Sequence, residues 1–157
     1  MKIGIFLIAL LYCLNINAYE ISKNDVDSWL KDTNLTCQLF HNIDTTNLKN
    51  WRTYLVTKNG KKLVFNSVKT MFNYFYTNFQ KHDENIKSML ITDYKNGNLV
   101  DATDAFYVFG SNIMSARGDD LIPFENLEDA KEFYTKNSGH KILKFQEINK
   151  NLIDYLR

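Results

Sequence analysis

The chain has 157 residues, a formal net charge of +1, and 45% hydrophobic and 14% aromatic content. That length suits one compact domain or two small, intimately packed halves, with apolar residues enough for an ample core. Nearly balanced charge argues against nucleic acid as the main partner, because phosphate binding needs clustered positive charge to release counterions.

The first 18 residues read as an export signal. Lys2 supplies the positive end, Ile3 to Leu14 a nearly unbroken apolar run, and Asn15 to Ala18 a polar exit ending on a small residue. The run is short for a membrane span, and no other segment could make one. Cleavage after Ala18 removes Lys2 and leaves residues 19–157 with a formal charge of zero. A lipid at Cys13 is the rival reading, since Leu10-Leu11-Tyr12-Cys13 has the spacing of a bacterial attachment site. Tyr12 is bulky where that site wants a small residue, so cleavage is preferred and the periplasm is the expected address. One cysteine then remains, Cys37, which excludes an intramolecular disulfide.

Ser22 or Asn24 can cap a short helix with Val26, Trp29 and Leu30 on one face, and Thr33 to Asn50 follows as loop with a short extended piece near Leu35 to Phe40. Trp51 to Thr57 reads as a strand, Asn59-Gly60 as a hairpin turn and Lys62 to Phe65 as the returning strand. Ser67 caps a helix whose Val68, Met71, Phe72, Phe75, Tyr76 and Phe79 form a broad apolar stripe. Such an aromatic stripe is expected to be core. A charged turn, Lys81 to Asn85, leads to the strand Lys87 to Tyr94.

The second half repeats the plan. Asn96-Gly97 turns the chain; Leu99 to Ala102, Phe106 to Phe109 and Leu121 to Phe124 are extended. Asn126 caps a helix with Leu127, Ala130, Phe133 and Tyr134 on its apolar face, and Gly139 ends it in the left-handed conformation. His140 to Gln146 is a strand, and Leu152 to Leu156 a last helical turn or two. Strand, strand, helix, strand thus occurs twice, at about 51–94 and 99–146. The expected fold is α+β, two packed ββαβ units after a cleaved signal peptide, with residues 19–50 as helix and loop, 51–94 as the first unit and 95–157 as the second unit with its C-terminal helix. A single mixed sheet shared by both halves is the alternative.

For chemistry, the chain offers no nucleophile elbow, no phosphate loop and no His-x-x-x-His pair. The carboxylate pairs Asp101/Asp104 and Asp119/Asp120 would be needed for an enzyme, but turn and capping roles explain them as well. His82 reads as solvated and His140, at the start of a strand, as a surface or sheet-edge residue. Soft donors remain. A lone exported thiol is a candidate copper(I) ligand, although a buried small hydrophobe is its commoner role. Cys37 and His41 are four apart, within reach of one ion if the backbone turns between them, and Met114 lies mid-loop between Gly110 and Gly118, where a thioether could meet them from the other half. Sulfur, nitrogen and sulfur suit copper(I) better than zinc.

Five stretches carry a resemblance: Val64-Phe65-Asn66-Ser67-Val68 with its aromatic helix; Ile91-Thr92-Asp93-Tyr94; Val100-Asp101-Ala102 with Ala105 to Ser111; Gly118-Asp119-Asp120-Leu121-Ile122-Pro123-Phe124; and Ala130, Phe133 and Gly139 to Ile148. In that order and spacing, Cys37 to Ile148 resembles the NosL family, the copper-binding accessory proteins of nitrous oxide reductase. The resemblance implies two ββαβ units, no catalytic turnover, copper(I) as the ion handled, and Cys37 as principal thiolate with Met114 and His41 as weaker candidates. It also implies two kinds of partner, apo nitrous oxide reductase and a copper-delivery or transport component. Where the family has Cys-x-x-Cys-Gly-Met, this chain reads Cys37-Gln38-Leu39-Phe40-His41-Asn42, and where it has Met-Gly before the Leu-Ile-Pro-Phe strand, this chain has Arg117-Gly118. The alternative expectation is therefore a metal-free scaffold or interaction protein of the same fold.

Overall fold

A computed structural model describes residues 35–79 and 85–156. The export signal, Cys13, the helix expected near Val26 to Leu30, and His82 lie outside the described residues.

The first unit begins at β1 (Thr53–Thr57) and β2 (Lys62–Phe65), and Gly60, at φ +84°, supplies the left-handed position in the turn between them. β1 starts two residues later than the sequence pattern predicts, because the Trp51 and Arg52 N–H groups both turn back to the Leu48 carbonyl. Helix α1 (Val68–Asn78) follows, with the Ser67 side chain accepting from the Thr70 N–H. Its apolar stripe packs inward: Val68, Met71, Phe72 and Phe75 are buried. β3 (Ile86–Thr92) then returns beside β1.

The second unit repeats this with β5 (Phe106–Phe109), β6 (Leu121–Phe124), α2 (Leu127–Lys136) and β7 (Lys141–Lys144). In both units the first strand is central and antiparallel to both neighbours, giving the orders β2-β1-β3 and β6-β5-β7. The two sheets are separate, so the single-sheet alternative does not hold.

β4 (Leu99–Asp101) corrects the expected division at residue 95. It pairs with β3, Ile91 opposite Val100, and so widens the first sheet to four strands. The reason is local: the Asn96-Gly97 turn, with Gly97 at φ +76°, folds the chain straight back on β3, and adjacency in sequence wins over the strand-strand-helix-strand pattern.

The chain ends with a 3₁₀ turn (Phe145–Glu147) and helix α3 (Lys150–Tyr155), capped by Asn149 accepting from the Leu152 N–H at 3.0 Å. The 3₁₀ turn shortens the expected last strand, because the Glu147 carboxylate reaches back to the Lys144 N–H at 2.9 Å. At the end of α2 the left-handed residue is Ser138, at φ 54°, and not Gly139. Gly139 is there for space: a Cβ would stand 2.7 Å from Tyr134 Cδ2 and 2.8 Å from Val108 Cγ1.

One core runs through both units. Leu55, Phe65, Met71, Phe72 and Ile91 of the first pack with Tyr107, Leu121 and Leu143 of the second and with Ile153 and Leu156 of the C-terminal segment. Phe72 sits at its centre, edge-on to Tyr107 at 6.2 Å and tilted against Phe145 at 5.5 Å. A smaller cluster of Val108, Ile122, Phe124 and Ala130 lies under α2. Polar bonds also cross the joint: the Tyr94 N–H donates to the Pro123 carbonyl at 2.9 Å, and the buried Asp93 carboxylate accepts from the Glu125 N–H at 2.6 Å.

Candidate functional site

Two loops from opposite ends of the sequence meet at one edge of the molecule. The first, residues 35–45, is a narrow loop closed by a bridge between Thr36 and Asp44, by the Cys37 N–H on the Ile43 carbonyl (2.9 Å) and by the Thr45 N–H on the Leu35 carbonyl (2.9 Å). The Gln38 N–H donates to the Val64 carbonyl at 2.8 Å, which ties the loop to β2.

That tether carries Cys37 inside. Its exposure is 0%, its Sγ–H donates to Asn66 Oδ1 at 3.3 Å, and the sulfur accepts the Phe40 N–H at 3.4 Å. The bridging turn places His41 outside, on the exposed tip.

The second loop, residues 110–118, joins β5 to β6. Gly110 opens it at φ +71°, where a Cβ would fall 2.7 Å from His140 Cβ, and the Asn112 N–H donates to the Asn137 carbonyl at 2.9 Å. Ser115 and Gly118 exchange backbone bonds (2.9 and 3.1 Å), closing a tight turn with Gly118 at φ +87°. Met114, 61% exposed, projects from this loop.

The loops touch through Arg117 and Phe40. The guanidinium carbon lies 4.3 Å from the Phe40 ring centroid, a cation–π contact. Phe40 and Arg117, like Asn42, stand at positions where the sequence departs from the resembled motif, and the fold brings the first two together.

Beneath the contact lies a buried polar knot. Lys69, in the first turn of α1, sends its Nζ to the Arg117 carbonyl and to the Leu156 carbonyl, each at 2.9 Å. Its own backbone N–H donates to Asp120 Oδ1 at 2.8 Å, and Asp120 also accepts from the Leu121 N–H at 2.9 Å. Burial lowers the Lys69 pKa, with Arg117 acting in the same direction and Asp120 and Asp119 opposing. Burial likewise raises the Asp120 pKa, against the Ser67 and Ser115 hydroxyls and the two N–H groups that favour its charged form.

Of the three soft donors expected from the sequence, one is therefore inside and two are outside. Cys37 faces Asn66, whereas Met114 and His41 face solvent. No group of three or more His, Cys, Asp and Glu side chains able to hold a metal ion occurs among the described residues. One carboxylate of each pair has a structural duty: Asp101 accepts from the Thr103 N–H and hydroxyl (2.8 and 2.6 Å), and Asp120 holds α1. His140, exposed, meets the Phe109 ring edge-on at 5.9 Å. Sequence reasoning missed Lys69 and Asn66. A lysine in the first turn of a helix gives no sign of burial, and Asn66 reads as an ordinary residue before a cap.

Two ββαβ units around a shared core, with a cysteine loop clasped to a glycine-flanked loop at their edge, define a small two-unit α+β protein that presents paired loops. The chain belongs to the NosL family, whose model matches residues 41–153. It is 39% identical over 57 residues to the copper-binding lipoprotein NosL of Stutzerimonas stutzeri, a stretch covering 36% of this chain and 30% of that protein. Its fold is similar to the crystal structure of the copper chaperone NosL from Shewanella denitrificans, with a TM-score of 0.57 at 23% identity over 64% of this chain and 79% of that one. The solution NMR structure of apo-NosL from Achromobacter cycloclastes matches with a TM-score of 0.48 at 21% identity, over 64% and 87% of the two chains.

Proposed function

We propose that this chain is an exported accessory protein that helps assemble nitrous oxide reductase, acting in the periplasm alongside the components that bring copper(I) to the apo-enzyme. The observation that carries this reading is membership of the NosL family across residues 41–153. The lipoprotein character of the Stutzerimonas relative supports an exported address.

Copper(I) is the cargo of that process, and Cys37, Met114 and His41 are the soft donors this sequence offers for it. As the fold holds them they do not fit the ion. The thiol is buried and donates inward to Asn66, while the thioether and imidazole lie outside. This placement, with Arg117 on Phe40 between the loops, favours a second form of the proposal. In it the chain docks on apo-reductase and on the copper-delivery component without itself carrying the ion. Neither form involves catalytic turnover.

The test uses the chain and apo nitrous oxide reductase mixed with a copper(I) chelator. A complex that elutes together on size exclusion is expected, and cells lacking the chain should accumulate copper-poor reductase. Absence of a complex, together with normal copper filling in those cells, would sink the proposal.

A further inference from the structure

We propose that the Arg117 guanidinium is the resident cation of the two-loop edge: stacked on Phe40, it clasps the Cys37 loop to the 110–118 loop and takes the place of a metal ion there. The inference deepens the metal-free form of the proposed function and rests on it.

Three observations carry it. The stacked ring belongs to the residue whose N–H bonds the Cys37 sulfur, so the clasp bears directly on the loop that holds the thiol. Arg117 is also fixed at its backbone. Its carbonyl accepts from Lys69 Nζ, its N–H donates to Ser115 Oγ at 3.2 Å, and the Ser115–Gly118 turn closes around it. The residue that carries the guanidinium is therefore held by the fold at both of its backbone ends.

The third observation is electrostatic. Lys69 is a second basic group beneath the same edge, close enough to Arg117 for the guanidinium to disfavour its charged form while Asp120 and Asp119 favour it, and its Nζ is committed to two carbonyls. A cation approaching Cys37 past Phe40 would meet the guanidinium stacked there. It would also have to displace the thiol proton to solvent and break the hydrogen bond that Sγ–H donates to Asn66, because only the thiolate ligates. A committed lysine, a satisfied thiol and a ring covered by a guanidinium leave the edge closed.

The experiment has two arms on the full chain. In the first, copper(I) is titrated anaerobically in competition with bicinchoninate, and the wild-type chain is expected to leave the chelator fully loaded. In the second, Phe40→Ala and Arg117→Ala are melted singly and together. Each single substitution should lower the midpoint by about 2–4 °C, the shift expected of a cation–π contact in a domain of this size, and the pair should lower it by less than the sum. Retention of copper(I) by the wild-type chain, or strictly additive shifts, overturns the inference. The proposed assembly role fails separately, by loss of the reductase complex, which neither arm measures.

Discussion

Asp120, at the head of β6, accepts the backbone N–H of Lys69 at 2.8 Å, so the first turn of α1 is capped by a carboxylate from the other unit. No acidic residue lies in that first turn itself. The positive end of the helix is thus met by a charge that only tertiary folding delivers.

Removing the carboxylate should be costly. Asp120→Ala leaves the Lys69 and Leu121 N–H groups buried and unpaired, and should destabilise the chain by about 2–4 kcal/mol in urea denaturation. Asp120→Asn keeps an acceptor oxygen and should cost distinctly less.

The same residue sets a pH dependence. Its folded-state pKa is raised from 3.8 by burial, so the folded state binds the proton more tightly than the unfolded one. Its contribution to stability is full below 3.8 and declines as the pH rises through the folded-state value. Exposed Asp44 and Glu147 and the half-buried Asp129, whose pKa values are lowered by hydrogen bonds, change in the opposite sense. Comparing wild type with Asp120→Asn across this range isolates the Asp120 component: the stability difference should move against the wild type as the pH rises.

Chemical modification should separate the two sulfurs. Cys37 at 0% exposure should resist iodoacetamide in the folded chain and react once urea unfolds it. Dilute peroxide should oxidise Met114, at 61% exposure, before the buried Met71 and Met89, as read by peptide mass spectrometry. Rapid alkylation of native Cys37 would mean that its loop opens readily.

The glycines divide by cause. Gly60→Ala meets nothing within 4 Å and bears only the strain of φ +84°, about 1 kcal/mol. Gly139→Ala drives a Cβ against the Tyr134 ring, the Val108 side chain and the Tyr134 Cα (3.1 Å), and should cost about 2–3 kcal/mol because backbone cannot yield as a side-chain tip can. Thermal melts of the two variants should rank in that order.

Much of the fold was legible in the chain. The Asn59-Gly60 and Asn96-Gly97 turns, the caps at Ser67 and Asn126, and the aromatic stripe of α1 all stand where the pattern places them. Each depends on residues a few positions apart, and local steric and hydrogen-bonding preferences act at that range. The site was less legible. Residues 37–42 and 110–118 were marked as the soft-donor stretches, but nothing in the spacing of Cys37, His41 and Met114 states that one would be inside and two outside.

The sequence alone determined the element order, the two ββαβ units and the family likeness, because periodicity and turn chemistry are written locally. Tertiary structure decided three further matters: that β4 joins the first sheet, that Asp120 caps a helix of the other unit, and that Arg117 covers Phe40 beside a buried thiol. These contacts join segments far apart in the chain, and which of them meet is settled only when the shared core around Phe72 packs and the loops are drawn to its edge.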